Sequence, residues 1–317
     1  MRNVNILFLG GAKRVSLAEH LIESGKNHDM EISIFSYELD LMVPIASVGK
    51  VILGLKWKDK SIFEHLRIII KENKINIVLP FVDPAIEICS KLKNEINDIF
   101  IPISSPEICH TMFDKKLSAE WFEKHDISQP IIYSDIENVS FPIILKPRNG
   151  SASKGLITAY KIEDIENNIN LEDYIIQQYI GHRKEFTVDC YVAKDGRAVS
   201  IVPRERIETA GGEAIKSITV RDEDIIDESR KILSSGCFEG PITIQFIKDI
   251  DSNNNYVMEI NPRFGGGVVT SIGARSGILD FLLDEYENKM IFPKDNWIEG
   301  TLMTRYFKEV IFYADNS

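Results

Sequence analysis

A group of polar side chains in the last third of the sequence has the chemistry of a metal and phosphate site. The segment PITIQFIKDIDSNNNYVMEINPRFGGG is typical of two strands joined by a polar turn, which places Gln245 and Glu259 on strands that can be neighbours. Asn261 lies two residues beyond Glu259 and therefore on the same strand face. One carboxylate and two amides suit Mg²⁺, and Arg263 beside them could pair with phosphate oxygens. A solvated strand end would explain the Asn or the Arg, but not an acid inside VMEI.

A second candidate is the small-residue loop after the strand PIILK. Lys146 closes this strand, and the sequence KPRNGSASKG then returns into another strand. Such a loop can fold backbone N–H groups over phosphates while Lys146 supplies a point charge. No GK[ST] sequence follows, so the loop is not that of the P-loop proteins. A flexible hairpin with an exposed lysine is the alternative.

Two further segments have patterns compatible with nucleotide binding. In IIQQYIGHRKEFTVDCYV, polar residues at a strand end could read a base edge and Glu185 could accept hydrogen bonds from a ribose, although an edge hairpin has the same pattern. The turn GGAKRVS, from Gly10 to Ser16, could hold an anion at a helix N-terminus, but it lacks GxGxxG spacing and is otherwise a tight turn. Glu38 and Asp40 could serve a ribose or simply be solvated.

Composition argues against several classes of protein. The 317 residues include 37 basic and 48 acidic side chains, a net charge of −11, and no segment gathers basic residues as nucleic-acid binding requires. No apolar stretch approaches the ~20 residues that span a bilayer, and the first residues resemble a strand, not a secretory signal. We therefore expect a cytoplasmic protein that binds neither nucleic acid nor membrane. The four cysteines form no CxxC pair, which argues against structural zinc and redox dithiols.

The first hundred residues alternate β-branched runs with helical patterns, which favours a parallel sheet covered on both faces. The predicted strands of this Rossmann-like α/β region are 4–9, 31–37, 50–53, 75–79 and 98–103. A longer helical pattern over 105–126 ends before Pro130. We place the boundary of the first domain between residues 104 and 105.

Beyond this helix, strands follow one another with few helices between them, which is typical of antiparallel sheets in an α+β region. A helix is predicted over 222–235. The predicted strands are 142–146, 155–160, 174–180, 185–193, 197–206, 241–249, 255–260 and 301–306. We divide this part of the chain into lobes at 105–180 and 181–317.

In their order, these elements resemble those of the ATP-grasp superfamily, most closely the stand-alone proteins similar to the carbamoyl-phosphate synthase large subunit. The resemblance covers nearly the whole chain, and its most specific parts are QF…MEINPRFGGG and ILKPRNGSASKG. It implies a Rossmann-like N-terminal (pre-ATP-grasp) domain followed by a two-lobed ATP-grasp domain with antiparallel sheets.

Carried over residue by residue, the resemblance implies a role for each motif. The phosphate-side cations are Lys115 and Lys146, and the loop that closes over ATP contains Ser151, Ala152 and Ser153. The adenine hinge is Gln178, Tyr179 and Ile180, and Glu185 contacts the ribose. The magnesium positions are Gln245, Glu259 and Asn261, and Arg263 faces the transferred phosphoryl group. Two departures stand out, because Gln178 replaces a Glu of many relatives and Gln245 replaces an acid of some branches.

The resemblance also implies an activity, that of an ATP-dependent carboxylate–amine ligase that releases ADP and phosphate through an acylphosphate. ATP and Mg²⁺ are the implied cofactors, with one or two ions and Mn²⁺ as an alternative. The implied partners are a small-molecule carboxylate and an amine, and homodimers are common in the family. Arg204, Arg206 and Arg275 are candidates to hold the carboxylate, or they pair with nearby acids. A non-catalytic ATP-binding regulatory module and an NAD-linked oxidoreductase are the competing hypotheses.

Overall fold

The computed structural model describes residues 1–150, 155–166 and 169–313, which form three β-sheets connected by helices. No helix within these ranges combines the length and the apolar character needed to cross a membrane. The predicted mixture of α/β and antiparallel structure is confirmed, whereas the domain boundaries stay predictions.

The first sheet is parallel, with strand order β3-β2-β1-β4. Its strands are β1 (Arg2–Leu9), β2 (Met30–Glu38), β3 (Lys50–Leu53) and β4 (Ile77–Pro80), and its helices are α1 (Val15–Asn27), α2 (Ile62–Glu72) and α3 (Asp83–Glu95). Alternate residues of β1 enter two separate cores, with Ile6 and Phe8 in one and Leu7 and Leu9 in the other. Burial on both faces accounts for the nearly continuous apolar sequence.

The strand predicted over 98–103 is wrong, because only Phe100 pairs with the sheet, as an isolated bridge to Ile77. The Phe100 N–H donates to the Asn76 carbonyl at 2.9 Å, and the Phe100 carbonyl accepts from the Val78 N–H at 3.0 Å. Two residues later, Pro102 has no N–H to continue a ladder. Ile101 and Ile103 in this segment are nevertheless buried, while Ile99 and Phe100 are half-buried.

The single helix predicted over 105–126 is two helices, α4 (Pro106–Phe113) and α5 (Lys115–Lys124). Asp114 separates them with an extended backbone, and its carboxylate accepts from the Lys116 N–H at 2.8 Å as the N-cap of α5. The same carboxylate pairs with Arg148 at 2.6 Å. The break therefore fixes Lys115, the first residue of α5, beside the strand that carries Lys146.

A small antiparallel sheet with strand order β5-β8-β6-β7 follows the helical pair. Its strands are β5 (Ile132–Tyr133), β6 (Ile143–Pro147), β7 (Ile157–Ala159) and β8 (Tyr174–Gln178). Four buried residues, Ile143, Leu145, Ala159 and Ile176, form its apolar core. The apolar face of β6 thereby fixes the strand that carries Lys146.

The third sheet has six antiparallel strands in the order β13-β12-β9-β10-β11-β14. The strands are β9 (Arg183–Val192), β10 (Ala198–Ala210), β11 (Glu213–Thr219), β12 (Gly240–Asp249), β13 (Asn255–Asn261) and β14 (Leu302–Thr304). Its helices are α6 (Glu223–Leu233), α7 (Val269–Gly273) and α8 (Ile278–Tyr286). The sequence analysis missed β11, which Gly211 and Gly212 join to β10 by a two-residue turn with positive φ at both positions.

Alternation along β9 separates the two faces of this large sheet. Phe186, Val188 and Cys190 enter an apolar core that also includes residues of α6. Glu185 and Asp189 point to the opposite face. Polar side chains of β9, β10, β12 and β13 can therefore meet on one side of the sheet.

The join between the first sheet and β12 has a tight steric requirement at Gly240. A Cβ on Gly240, which has a φ of +77°, would lie 2.2 Å from the Pro102 carbonyl oxygen. Gly236 has a similar φ of +73° but open space around it. We expect Gly236→Ala to cost about 1–2 kcal/mol from its left-handed backbone, and Gly240→Ala to cost ~1–3 kcal/mol more from the clash.

Denaturant unfolding of both variants and the wild type measures this difference. Because both substitutions add the same methyl group at the same backbone conformation, Gly236→Ala is the matched control. Equal losses of unfolding free energy would contradict the close packing of Pro102 on Gly240.

Candidate active site

Glu259 is the centre of a hydrogen-bonded group on the polar face of the large sheet. Gln245 and Glu259 are directly opposite each other on β12 and β13. Gln245 Nε2 donates to Glu259 Oε1 at 2.6 Å, and Asn261 Nδ2 donates to the same oxygen at 2.9 Å. The structure therefore brings together the three residues predicted to bind magnesium.

Arg206 joins this group from β10. Its Nη1 donates to Gln245 Oε1 at 2.9 Å, and its Nη2 donates to the Gly212 carbonyl at 2.8 Å. Arg206 Nε lies 3.9 Å from the Glu185 carboxylate. Burial is the main cause of a lowered pKa at Arg206, and Glu185 opposes it. A largely desolvated guanidinium thus lies between the predicted ribose residue and the predicted metal ligands.

Lys146 is the other desolvated cation of the site. It is only 8% exposed, and burial lowers the pKa of its ammonium to about 8, against the opposing attraction of Glu259. Lys115 and Arg183 lower the pKa of Lys146 further through charge repulsion. Lys115 itself donates through Nζ to the Gly150 carbonyl at 2.8 Å. Both predicted phosphate-side cations therefore lie at the same end of the small sheet.

The predicted adenine hinge lies between the two antiparallel sheets. The Gln178 N–H donates to the Ile131 carbonyl at 2.8 Å, and the Tyr179 N–H donates to the Pro142 carbonyl at 3.2 Å. The Ile180 carbonyl accepts from Arg183 Nη1 at 2.6 Å. These bonds hold the hinge backbone across the end of the small sheet.

Arg183 connects this hinge to Glu185 and was not selected from the sequence. Its Nε lies 3.3 Å from Glu185 Oε1, and its guanidinium lies 5.2 Å from the centre of the Tyr179 ring. Because Arg183 and Glu185 are two residues apart on β9, they share a strand face. The two-residue spacing between Arg183 and Glu185 is the sequence pattern that could have identified Arg183 as a site residue.

The remaining predicted residues have different surroundings. Arg263 Nη2 lies 3.6 Å from Asp83, which follows β4 in the first sheet. Arg204 is 2% exposed and pairs with Asp189 at 2.8 Å. Arg275 is exposed beyond α7, with a positive φ. The loop residues Ser151, Ala152 and Ser153 lie outside the described residues.

Sequence reasoning also missed Asp83, Arg14, Glu213 and Arg305. Glu213 lies 3.3 Å from Arg14 and 3.2 Å from Arg305. Arg14 is part of the turn that the sequence singled out as a candidate anion site, so its signal was present. Nothing in the spacing of Arg305 connects it to that turn, because the two residues meet only through the tertiary fold.

The donor set around Glu259 fits one hard divalent cation. Mg²⁺ prefers oxygen ligands, and Glu259 offers a carboxylate. Gln245 and Asn261 face this carboxylate through their amide nitrogens, at 2.6 and 2.9 Å, so they would add oxygen ligands only with their amide groups turned. The Gln245 oxygen already accepts from Arg206, so this side of the group carries a fixed positive charge. The residues therefore suit one ion that is shared with an anionic ligand better than a pair of ions.

Comparison with known proteins finds several chains similar to this one. The model of the family "ATP-grasp in the biosynthetic pathway with Ter operon" matches residues 170–302. The D-alanine–D-alanine ligase of Rickettsia felis is 26% identical over 87% of this chain and 91% of its own length. The carbamoyl phosphate synthase arginine-specific large chain of Bacillus subtilis is 28% identical over 41% of this chain. This chain spans only 14% of that large chain and 6% of the multifunctional protein URA2 of Saccharomyces cerevisiae.

A solved structure has the same fold over nearly the whole chain. The biotin carboxylase domain of the Hydrogenobacter thermophilus 2-oxoglutarate carboxylase, in complex with MgADP, ADP and bicarbonate, superposes with a TM-score of 0.76. The match covers 94% of this chain and 73% of that chain at 16% identity.

The chain is therefore similar in sequence and in fold to ATP-grasp proteins. The relatives that the chain resembles include both a D-alanine–D-alanine ligase and a carbamoyl phosphate synthase large chain. The resemblance inferred from the sequence motifs is therefore confirmed.

The lowered pKa of Lys146 predicts how nucleotide affinity changes with pH. The ammonium charge is present below about pH 8 and is lost as the pH rises through that value, so attraction to phosphate falls. We expect ATP to bind about tenfold more weakly at about pH 9 than at about pH 7.5. Isothermal titration over this range measures the effect.

Lys146→Arg is the control, because its guanidinium stays charged throughout the range. This variant should show a much flatter pH dependence. A wild-type affinity that is unchanged across the range would contradict a role for the Lys146 charge in nucleotide binding.

Proposed function

We infer that the chain is an ATP-dependent carboxylate–amine ligase that forms a C–N bond and releases ADP and phosphate. The observation that carries this proposal is the position of Lys146 and Arg206 around the Glu259 group, which combines desolvated cations with a carboxylate and two amides. The match to a D-alanine–D-alanine ligase over nearly its whole length supports the reaction class.

ATP would lie between the two antiparallel sheets. The hinge at Gln178–Ile180 would contact adenine and Glu185 would accept from the ribose, while Lys115 and Lys146 would neutralise phosphate oxygens. The loop residues Ser151, Ala152 and Ser153 would close over the phosphates. In the same proposal, the first parallel sheet is the Rossmann-like N-terminal domain at 1–104, followed by lobes at 105–180 and 181–317.

Glu259, Asn261 and Gln245 would hold the Mg²⁺ ion that accompanies ATP. A divalent cation in this position supplies charge neutralisation for the phosphate oxygens. Arg206 adds a fixed cation on the Gln245 side of the group, and Arg263 adds another after β13. Positive charge around the γ-phosphate would therefore come largely from the chain itself.

The reaction would proceed in two steps. An oxygen of the substrate carboxylate attacks the γ-phosphorus, the bond to the β,γ-bridging oxygen breaks, and ADP leaves. The amine nitrogen then attacks the acyl carbon, the bond from that carbon to the phosphate oxygen breaks, and phosphate leaves while the nitrogen loses a proton. Lys146, Arg206 and Arg263 would stabilise the charge that develops during phosphoryl transfer.

A non-catalytic ATP-binding regulatory module is the second candidate. It is favoured by the single carboxylate of the metal group, in which neutral Gln245 is already bonded to Arg206. The two candidates differ in turnover, because a regulatory module would bind ATP without cleaving it in the presence of any acid and amine.

Substitution of Glu259 tests the ligase directly. We expect Glu259→Gln to lower the rate of ADP formation about 10²–10³-fold, because the variant loses the charged ligand of the cation. The assay measures ADP and phosphate release over a panel of acid and amine pairs, with mass analysis of the products. Glu208→Gln, on an exposed part of β10, is the control and should keep wild-type rates.

Three outcomes would contradict the ligase. Release of AMP would exclude the acylphosphate route, and full activity of Glu259→Gln would exclude the proposed metal group. ATP binding without cleavage over the whole panel would favour the regulatory module.

A further inference from the structure

Two arginines that the sequence analysis did not select, Arg14 and Arg305, lie around Gly266, and Arg263 is close enough to repel the charge of Arg14. Arg14 precedes α1 and Arg305 follows β14, so the three arginines come from distant parts of the chain. Arg305 donates through Nη2 to the Gly266 carbonyl, and a Cβ on Gly266 would lie 3.0 Å from Arg14 Nη1. Burial is the main cause of a lowered pKa at Arg14, and repulsion by Arg263 and Arg305 adds to it while Glu213 opposes it.

This arginine cluster lies beyond the carboxyl ends of two parallel strands. Arg14 follows β1, and Phe81 and Asp83 follow β4. The Arg14 guanidinium lies 6.0 Å from the centre of the Phe81 ring, and Asp83 lies 3.6 Å from Arg263. In open parallel sheets, ligands bind in the crevice outside the carboxyl ends of the strands. The cluster therefore occupies the place where the first sheet would contribute to a ligand site.

One carboxylate of the chain lies between Arg14 and Arg305. Glu213 Oε1 is 3.3 Å from Arg14 Nη1, and Glu213 Oε2 is 3.2 Å from Arg305 Nη1. Each of the two oxygens thus faces a different guanidinium, as a bound ligand carboxylate would. Glu213 is 37% exposed and directly follows the Gly211–Gly212 turn, whereas Arg14 is 14% exposed.

The cluster has more cationic than anionic groups. Asp83 and Glu213 are its two acids against three guanidiniums. Among the described residues, the buried Nε atoms of Arg263 and Arg305 have no hydrogen-bond partner. Guanidiniums that are partly removed from water and incompletely paired favour an additional negative charge beside them. The cluster is therefore built to accept an additional anionic group.

The pair of arginines suits an anionic group that does not react. A carboxylate whose two oxygens both accept from guanidiniums is a weaker nucleophile, because these charged donors stabilise its negative charge and lower its basicity. In a ligase, the carboxylate that attacks ATP must keep one oxygen free. Arg14 and Arg305 would therefore hold a second anionic group of the acid substrate.

We propose that the acid substrate carries a second, non-reacting carboxylate or phosphate-type group that binds between Arg14 and Arg305 and displaces Glu213. This proposal rests on the ligase function for the identity of the ligand as a substrate. The binding of an anion at the cluster stands independently of turnover.

Binding experiments test the cluster with three small acids. The probes are propionate, succinate and 3-phosphonopropionate, titrated into the full chain with Mg²⁺ and a saturating non-hydrolysable ATP analogue so that the nucleotide site is filled. We expect succinate or 3-phosphonopropionate to bind at least about tenfold more tightly than propionate, since hydrogen bonds to charged groups are the stronger class. The better of the two identifies the second group as a carboxylate or a phosphate.

Substitutions on the two sides of the cluster should have opposite effects. Arg14→Ala and Arg305→Lys should weaken binding of the preferred probe about tenfold to hundredfold, with affinity for the ATP analogue unchanged. Glu213→Ala should strengthen it about threefold to tenfold, because no carboxylate of the chain then competes for the arginines. Glu208→Gln, with the same change of charge on β10, should leave it unchanged.

Because the arginine and Glu213 substitutions are expected to change probe affinity in opposite directions, the test still gives an answer if one variant fails to fold. The proposal is overturned if Glu213→Ala leaves probe affinity unchanged or lowers it, or if folded Arg14→Ala and Arg305→Lys both bind like the wild type. Equal affinity for the three probes would overturn it as well.

Turnover separates this proposal from the ligase itself. If acids with one carboxylate are ligated as efficiently as acids with two anionic groups, and Arg305→Lys leaves KM for the acid unchanged, the ligase stands and the second anionic group is excluded. If no acid supports ADP formation but the probes bind with the predicted signs, the anion site stands and the ligase fails.

Discussion

The carboxylate of Glu259 is the group on which the rest of the cleft depends. It is set in an apolar strand, and it accepts from the Gln245 and Asn261 amides while opposing the burial effect on the pKa of Lys146. Without this negative charge, two amide donors would lose their acceptor and a buried ammonium would lose the acid that attracts it most strongly. The polar face of the large sheet is therefore held together by one acid shared among several neighbours.

Buried cations distinguish this cleft from the surface of the protein. The chain has a net charge of −11, yet Lys146, Arg204 and Arg206 are each less than a tenth exposed. Arg204 pairs with Asp189 at 2.8 Å. Arg206 instead donates to the neutral oxygen of Gln245 and lies at a longer distance, 3.9 Å, from the Glu185 carboxylate. A low-dielectric cleft with excess positive charge concentrates anionic ligands, even in an acidic protein. This local excess, and not the net charge, determines which ligands suit the cleft.

The hydrophobic pattern of the sequence predicted much of the fold, and the predictions that were wrong have local causes. The alternation along the β12–β13 hairpin predicted that Gln245, Glu259 and Asn261 share a face, and the cross-strand pairing agrees. The prediction of a single helix over 105–126 was wrong because Asp114 ends one helix and serves as the N-cap of the next. The prediction of a strand over 98–103 was wrong because apolar side chains at a sheet edge can be buried without a continuous ladder of backbone hydrogen bonds.

The alternation of side chains along a strand and the type of each residue are local properties. The sequence by itself therefore determined the parallel and antiparallel regions and the members of the Glu259 group. It also placed Arg204 and Arg206 two residues apart on one strand face. Only the tertiary structure decided that Arg204 would be neutralised by Asp189 while Arg206 would reach Gln245. It likewise brought Arg14, Glu213 and Arg305 together from three distant segments. Charge pairing depends on distances between elements far apart in the chain, and those distances exist only once the sheets have packed.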